Sequence, residues 1–163
     1  SFKVIGRGYV GPIPVPVVIM AVCYVIGFAV LKYTKFGRSA YSIGGNIEAA
    51  RLSGVPEVKN KILTYIICGL TAGTAGIILS SRMFSGQPSA GNGLELDAIA
   101  ACVIGGTSTT GGKGRLWGTF LGALIMGIIT NGMNLMNIST NCQLIVQGMI
   151  IVIAVGLDRI KSN

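Results

Sequence analysis

The chain has 163 residues, of which 51% are hydrophobic and only 11% are charged. Soluble domains carry about 25% charged residues, so the composition excludes an ordinary water-soluble core and predicts an all-α, polytopic helical membrane protein. The net charge of +8 comes from basic residues at the ends of apolar runs, a placement typical of membrane topology, and it does not predict a nucleic-acid partner.

Long uncharged runs mark the predicted membrane-crossing helices. An apolar helix needs about 20 residues to cross the hydrocarbon layer, and residues 13–31 and 62–81 each fit one crossing. The run 116–157 is long enough for two, and asparagines divide it near its middle. The predicted spans are, in chain order, about 13–33, 59–81, 115–134 and 142–158.

A basic island separates the first two spans. Lys32 to Lys61 contains six basic residues and only two acidic ones, so the positive-inside rule places the island in the cytoplasm. The same rule places two later basic pairs on that side, Lys113/Arg115 and Arg159/Lys161. The C-terminal end of the chain is then cytoplasmic.

A short helix is predicted within the island, over about 46–54, with residues 47–53 helical. Asn46 is a good N-cap, and Glu48 in the first turn suits the helix dipole. Gly54 can adopt the left-handed C-terminal conformation, and Pro56 prevents continuation. The alternative is an ordinary connecting loop.

The predicted topology requires the chain to return to the cytoplasmic side between about Asp97 and Gly112. A helix of these 16 residues would be about 24 Å long, short of a core of about 30 Å. We therefore predict a broken half-helix at about 97–105, followed by an irregular glycine-rich segment. The alternative is a re-entrant segment that leaves on the outer side.

Polar groups of this broken segment are candidates for lining a solute pathway, because discontinuous helices form transport sites in many transporters. We favour pathway lining for the backbone of Gly105, Gly106, Thr107 and Ser108. For Asp97 we favour N-capping of a helix that begins at Ala98, with pathway lining as the alternative. Asn131 and Asn134 fit contact with the solute and interhelical hydrogen bonding equally well.

Small residues recur four apart in the predicted spans, a spacing that lets helix backbones approach closely in lipid. We favour packing within the chain over a dimer seam for these pairs. They are Gly69/Gly73, Ala72/Gly76, Gly118/Gly122 and Ala123/Gly127.

Three ordered motifs resemble one family of membrane proteins. Gly-Gly-Asn-x-Glu-Ala-Ala-x-x-Ser-Gly, at 44–54, resembles the coupling-helix motif of permease subunits of ATP-binding-cassette importers, in the version of ribose-type sugar importers. Two further elements are similar to the C-terminal half of the same permeases: Glu-Leu-Asp-Ala-Ile-Ala-Ala at 95–101 followed by a glycine-rich run at 105–114, and Asn-Gly-x-Asn-Leu at 131–135.

The resemblance implies that the chain is the C-terminal half of a permease in the bacterial cytoplasmic membrane. It implies a second permease copy, a cytoplasmic ATPase subunit that carries the ATP and Mg, and an external sugar-binding protein. No cofactor is expected on this chain, and the solute would be a ribose-like monosaccharide. Carried over by position, the ATPase contact would be formed by Glu48, Ala49, Ala50, Arg51 and Gly54.

Other classes remain as alternatives. They are a permease for another small solute, and a channel whose filter is the 105–112 backbone. An intramembrane hydrolase is disfavoured, because the chain has no histidine and Asp97 has no second intramembrane carboxylate. The sequence therefore predicts no catalytic residue and no metal site.

Overall fold

The computed structural model describes Gly6, residues 8–83 and residues 91–162. The side chain of Lys161, one of the predicted cytoplasmic cations, lies outside this description. The chain divides into two compact units at Gly91 and Asn92.

From Tyr9 to Met83, unit 1 consists of a small antiparallel hairpin followed by four helices. Tyr9 pairs with Pro14 across a turn in which Gly11 has a φ of +64°. The elements are β1 (Tyr9–Val10), β2 (Ile13–Pro14), α1 (Val15–Tyr33), α2 (Lys35–Gly45), α3 (Ile47–Leu52) and α4 (Glu57–Met83).

Unit 2 contains three helices, of which the first is short. They are α5 (Leu94–Ile104), α6 (Leu116–Leu135) and α7 (Thr140–Ser162). Between α5 and α6, residues 105–115 form irregular turns, including left-handed glycines at 106, 111 and 112. The predicted half-helix and the irregular segment after it are therefore both present.

Among the described residues, three helices, α1, α4 and α6, are long and apolar enough to cross a membrane. They match three of the four predicted spans within about two residues at each end. The fourth, α7, has 23 residues, of which the apolar stretch is Thr140–Gly156. The chain is a polytopic helical membrane protein, as predicted from its composition.

Helix α2 was not predicted from the sequence. Thr34 ends α1 and starts α2, because its hydroxyl donates to Val30 O at 2.6 Å and accepts from Gly37 N at 3.2 Å. A Cβ at Gly37 would lie 2.1 Å from Leu31 O, so only glycine fits this tight turn. Helix α2 depends on packing against the end of α1, which propensity alone does not show, since its sequence contains three glycines.

In unit 2, α5 packs antiparallel to α6 through small residues. Gly105 lies against Gly118 and, one turn along, Ala101 lies against Gly122. A Cβ at Gly118 would lie 1.9 Å from Gly105 O, and one at Gly122 would lie 2.0 Å from Ala101 O. The predicted packing role of Gly118/Gly122 is therefore confirmed, and it operates within the chain.

The broken segment, which is α5 and the irregular residues after it, runs along α7 in one direction as far as Thr109. Its start, at Gly93, lies beside Leu144, and its irregular part reaches Asp158, where Thr109 N donates at 3.3 Å. Leu144 and Asp158 are 14 residues apart on one helix, or about 21 Å. This course is the one that the predicted return requires, and the membrane side on which the segment ends stays a prediction.

Candidate functional site

Helix α3 is bounded by the residues that the sequence indicated. The Asn46 side chain accepts a hydrogen bond from Ala49 N at 3.0 Å, which makes it the N-cap. At the other end the Ser53 hydroxyl donates to Ala49 O at 2.8 Å, and Gly54 has a φ of +77°. The predicted helix of 47–53 is confirmed with six residues, Ile47–Leu52.

One side of α3 is buried and the other is exposed. Ala50 is only 2% exposed, so its side chain packs within unit 1. Glu48, Ala49 and Arg51 are exposed, and so is Leu52, at 90%. A leucine with that exposure beside a carboxylate and a guanidinium forms a compact amphiphilic surface.

Glu57 fixes α3 to the first turn of α4. Its carboxylate accepts from Arg51 Nη2 at 2.8 Å and also from Lys61 Nζ, so one acidic group holds two cations. The Glu57 side chain is 16% exposed, whereas that of Arg51 is 74% exposed. Arg51 therefore keeps most of its surface available while its position is set by Glu57.

Asp97 does not cap α5, which corrects our preferred interpretation. The helix begins at Leu94, one turn before Asp97, and its N-cap is Gly93 with a φ of +88°. The Asp97 carboxylate instead accepts a hydrogen bond from Gln147 Nε2 on α7, at 2.8 Å. Its role in the structure is to link two helices of unit 2.

A cavity of about 380 Å³ lies between α5 and α6. Asn134 links two helices as well as lining it, because its Oδ1 accepts from Gln143 Nε2 on α7 at 2.9 Å. The predicted residues Asp97, Asn131 and Asn134 are thus brought together at one place. The lining residues are Asp97, Ala98, Ala101, Ala123, Met126, Gly127, Thr130, Asn131 and Asn134.

The glycine-rich segment lies at the other end of α7. Gly105 is in close backbone contact with Gly118, which leaves it little room to line a pathway. Ser108 Oγ donates to the Asp158 carboxylate at 3.4 Å, and Thr107 packs over Gly114. Asp158 is 11 residues beyond Gln147, or about 16 Å along the helix.

The predicted pathway residues therefore form two separate groups. The cavity holds Asp97, Asn131 and Asn134, and the far group holds Gly105, Gly106, Thr107 and Ser108. Several side chains that organise these places were not singled out as site residues from the sequence: Leu52, Glu57, Thr130, Gln143, Gln147 and Asp158. A usable signal existed for Gln143 and Gln147, because amides four apart within an uncharged run lie on one face of a helix.

Several proteins of known name are similar to this chain over nearly its whole length. The ribose import permease protein RbsC of Bacillus subtilis is 50% identical over 162 residues, which cover 99% of this chain and 50% of the relative. The L-arabinose transport system permease protein AraH of Escherichia coli is 46% identical over 163 residues, covering 100% of this chain and 50% of the relative.

The xylose transport system permease protein XylH of Haemophilus influenzae is 47% identical over 146 residues, covering 90% of this chain and 39% of the relative. The chain spans about half the length of the curated relatives it matches. No solved structure matches it significantly.

A family model agrees with these relatives and with the helical membrane fold. The model describes the permease component of branched-chain amino acid transport systems, and it matches residues 2–155, most of the chain. The chain belongs to the family described as branched-chain amino acid transport system / permease component.

Proposed function

We propose that this chain forms part of the membrane permease of an ATP-driven importer for a neutral, ribose-like monosaccharide. The observation that carries the proposal is α3, a capped helix that exposes an amphiphilic surface between two membrane-length helices, α1 and α4. The relatives, which are named as permeases for ribose, L-arabinose and xylose, support the solute class.

In this proposal α3 is the coupling helix, and its exposed side contacts a cytoplasmic ATPase subunit. Glu48 and Leu52, four residues apart, lie on the side opposite buried Ala50, with Ala49 and Arg51 flanking them. Gly54 closes the helix and serves this contact through its left-handed backbone. An exposed leucine among charged neighbours fits the apolar anchor and polar rim of a protein interface.

The remaining parts of the importer belong to other chains. The ATPase binds ATP and Mg and performs hydrolysis, so this chain is not itself an enzyme and holds no cofactor. A second permease copy completes the pore in the cytoplasmic membrane, and an external sugar-binding protein delivers the solute. The Arg51–Glu57 ion pair would transmit movement of α3 to α4.

The coupling role is tested with two tryptophan substitutions in the full-length permease. Ala49→Trp adds bulk to the exposed side of α3, and we expect copurification of the ATPase and sugar uptake to fall at least about tenfold, the effect of losing about 1.4 kcal/mol of binding. Ser42→Trp, at an exposed position of α2, is the matched control and should leave both near normal. Undiminished complex with Ala49→Trp would refute the contact.

The solute class and the energy source are tested together by uptake into vesicles. Labelled ribose, L-arabinose and xylose are compared with leucine, with and without ATP. We expect accumulation of a sugar that requires ATP. Flux that follows a gradient without an ATPase would favour the channel alternative, and uptake of leucine alone would favour another small solute.

A further inference from the structure

One residue that lines the cavity between α5 and α6 has a buried hydrogen-bonding group that no described residue satisfies. This residue is Thr130, whose hydroxyl oxygen is buried without a hydrogen-bond partner among the described residues. Gln147, which donates to the cavity residue Asp97, is only 4% exposed. Leaving a buried polar group unpaired costs about 1–3 kcal/mol, so the Thr130 hydroxyl at the cavity wall indicates a missing partner.

Two buried glutamines on α7 orient the polar residues of the cavity. Gln143 and Gln147 are one turn apart and are 8% and 4% exposed. Gln143 holds Asn134 at 2.9 Å, and Gln147 holds Asp97 at 2.8 Å. Pre-oriented amide and carboxylate groups are what a site needs in order to bind a ligand without reorganising.

The lining chemistry discriminates between solute classes. It combines one carboxylate, two amides and one hydroxyl with small apolar groups and Met126, and it includes no lysine or arginine. Next to the Asp97 carboxylate, the carboxylate of a free amino acid would need a cation, whereas the hydroxyl groups of a sugar bond well to carboxylate, amide and hydroxyl groups. Its volume of about 380 Å³ is within the range of small-molecule sites.

We infer that this cavity is a hydroxyl-recognition site for a neutral monosaccharide, with Thr130, Asn131, Asn134 and Asp97 as contacts and Gln143 and Gln147 as positioning residues. The inference deepens the proposed function and rests on it for the identity of the sugar. The Thr130 hydroxyl forms one hydrogen bond with a sugar hydroxyl. A second sugar hydroxyl donates to the Asp97 carboxylate.

The first test is Thr130→Val in the full-length permease, because valine keeps the shape and removes the hydroxyl. We expect the KM for ribose uptake to rise about five- to tenfold, the effect of losing one neutral hydrogen bond. Thr74→Val is the control, since the Thr74 hydroxyl donates to Thr71 O within α4, and it should leave KM unchanged. We also compare 2-, 3- and 5-deoxyribose. The analogue that lacks the hydroxyl bonded to Thr130 should be transported equally well by wild type and Thr130→Val, because neither protein can form that hydrogen bond.

A second measurement does not depend on transport. Thr130→Cys in a cysteine-free full-length permease is labelled with a water-soluble methanethiosulfonate reagent, with ribose or leucine present. Protection by ribose supports the site even if uptake assays show no sugar transport, in which case only the proposed function fails. The inference is overturned if ribose gives no protection and Thr130→Val behaves like its control, or if leucine alone protects.

Discussion

Two short helices, α3 and α5, are maintained in different ways. Helix α3 has six residues, and its ends are held by the side chains of the residues that directly precede and follow it, Asn46 and Ser53. Helix α5 has 11 residues and a glycine at its N-cap, with no side-chain cap bond among the described residues, and it is held by backbone contact with α6. An exposed short helix needs local signals, whereas an embedded one can depend on packing.

The small-residue faces differ in the same way. A Cβ at Gly118 or Gly122 of α6 would collide with α5, but in the described residues a Cβ at Gly69, Gly73 or Gly76 of α4 would meet nothing within 4 Å. The spacing is the same in both helices. The pattern therefore predicts that a backbone can be approached closely, and it does not identify what approaches it.

The largest expected effect on stability is at the face of α6 that packs against α5. Gly118→Ala would place a methyl group against Gly105 O, and because the obstacle is backbone, we expect a destabilisation of about 3 kcal/mol or more. Gly127→Ala, on the same helix and with nothing within 4 Å of its Cβ, is the control and should be neutral or slightly stabilising. Thermal unfolding of the purified full-length permease measures both, and equal midpoints would contradict the contact.

The second-largest expected effect on stability concerns the hydrogen bond between Asp97 and Gln147, which helps to hold α5. Gln147→Leu removes the amide that donates to Asp97, and a lost hydrogen bond to a charged group predicts a destabilisation of about 2 kcal/mol. In a double-mutant cycle with Asp97→Ala, the second substitution should add little to the first. Fully additive effects would show that the two side chains do not interact.

A smaller effect is expected at the exposed helix. Asn46→Ala removes the N-cap of α3, and we expect a local loss of about 1 kcal/mol, seen as roughly fivefold faster amide hydrogen exchange over 47–52. Asn46→Asp keeps an acceptor at the same place and should restore slow exchange. If aspartate exchanges as fast as alanine, the cap is not what stabilises α3.

The smallest effect is expected at the open face of α4, where it would sharpen the comparison of the two helix faces. Gly73→Ala gains helix propensity and meets no neighbour, so thermal stability should stay the same or rise by up to about 1 kcal/mol. A clear loss of stability in the full-length permease would mean that another helix covers this face there. The same thermal measurement then separates an open face from a covered one.

Prediction from sequence succeeded where neighbours along the chain decide the structure. Asn46 and Gly54 bound α3 because a cap and a left-handed glycine act within one turn of the residues they serve. It failed for Asp97, whose helix starts one turn earlier and whose partner, Gln147, is 50 residues away. The contact roles proposed for residues of α3 and its end stay predictions, and one of these residues, Ala50, is buried. They are Glu48, Ala49, Ala50, Arg51 and Gly54.

The amino-acid sequence by itself determined that lipid surrounds the long helices of this protein, and it determined the approximate position of its spans and the limits of α3. It could do so because hydropathy and capping are properties of short stretches of chain. Only the tertiary structure decided that α2 is helical, that Gly118 rather than Gly73 carries a close contact, and that Asp97 and Asn134 meet at one cavity. The reason is physical: these outcomes depend on which backbone comes within a few ångströms of which, and residues far apart in sequence supply that backbone.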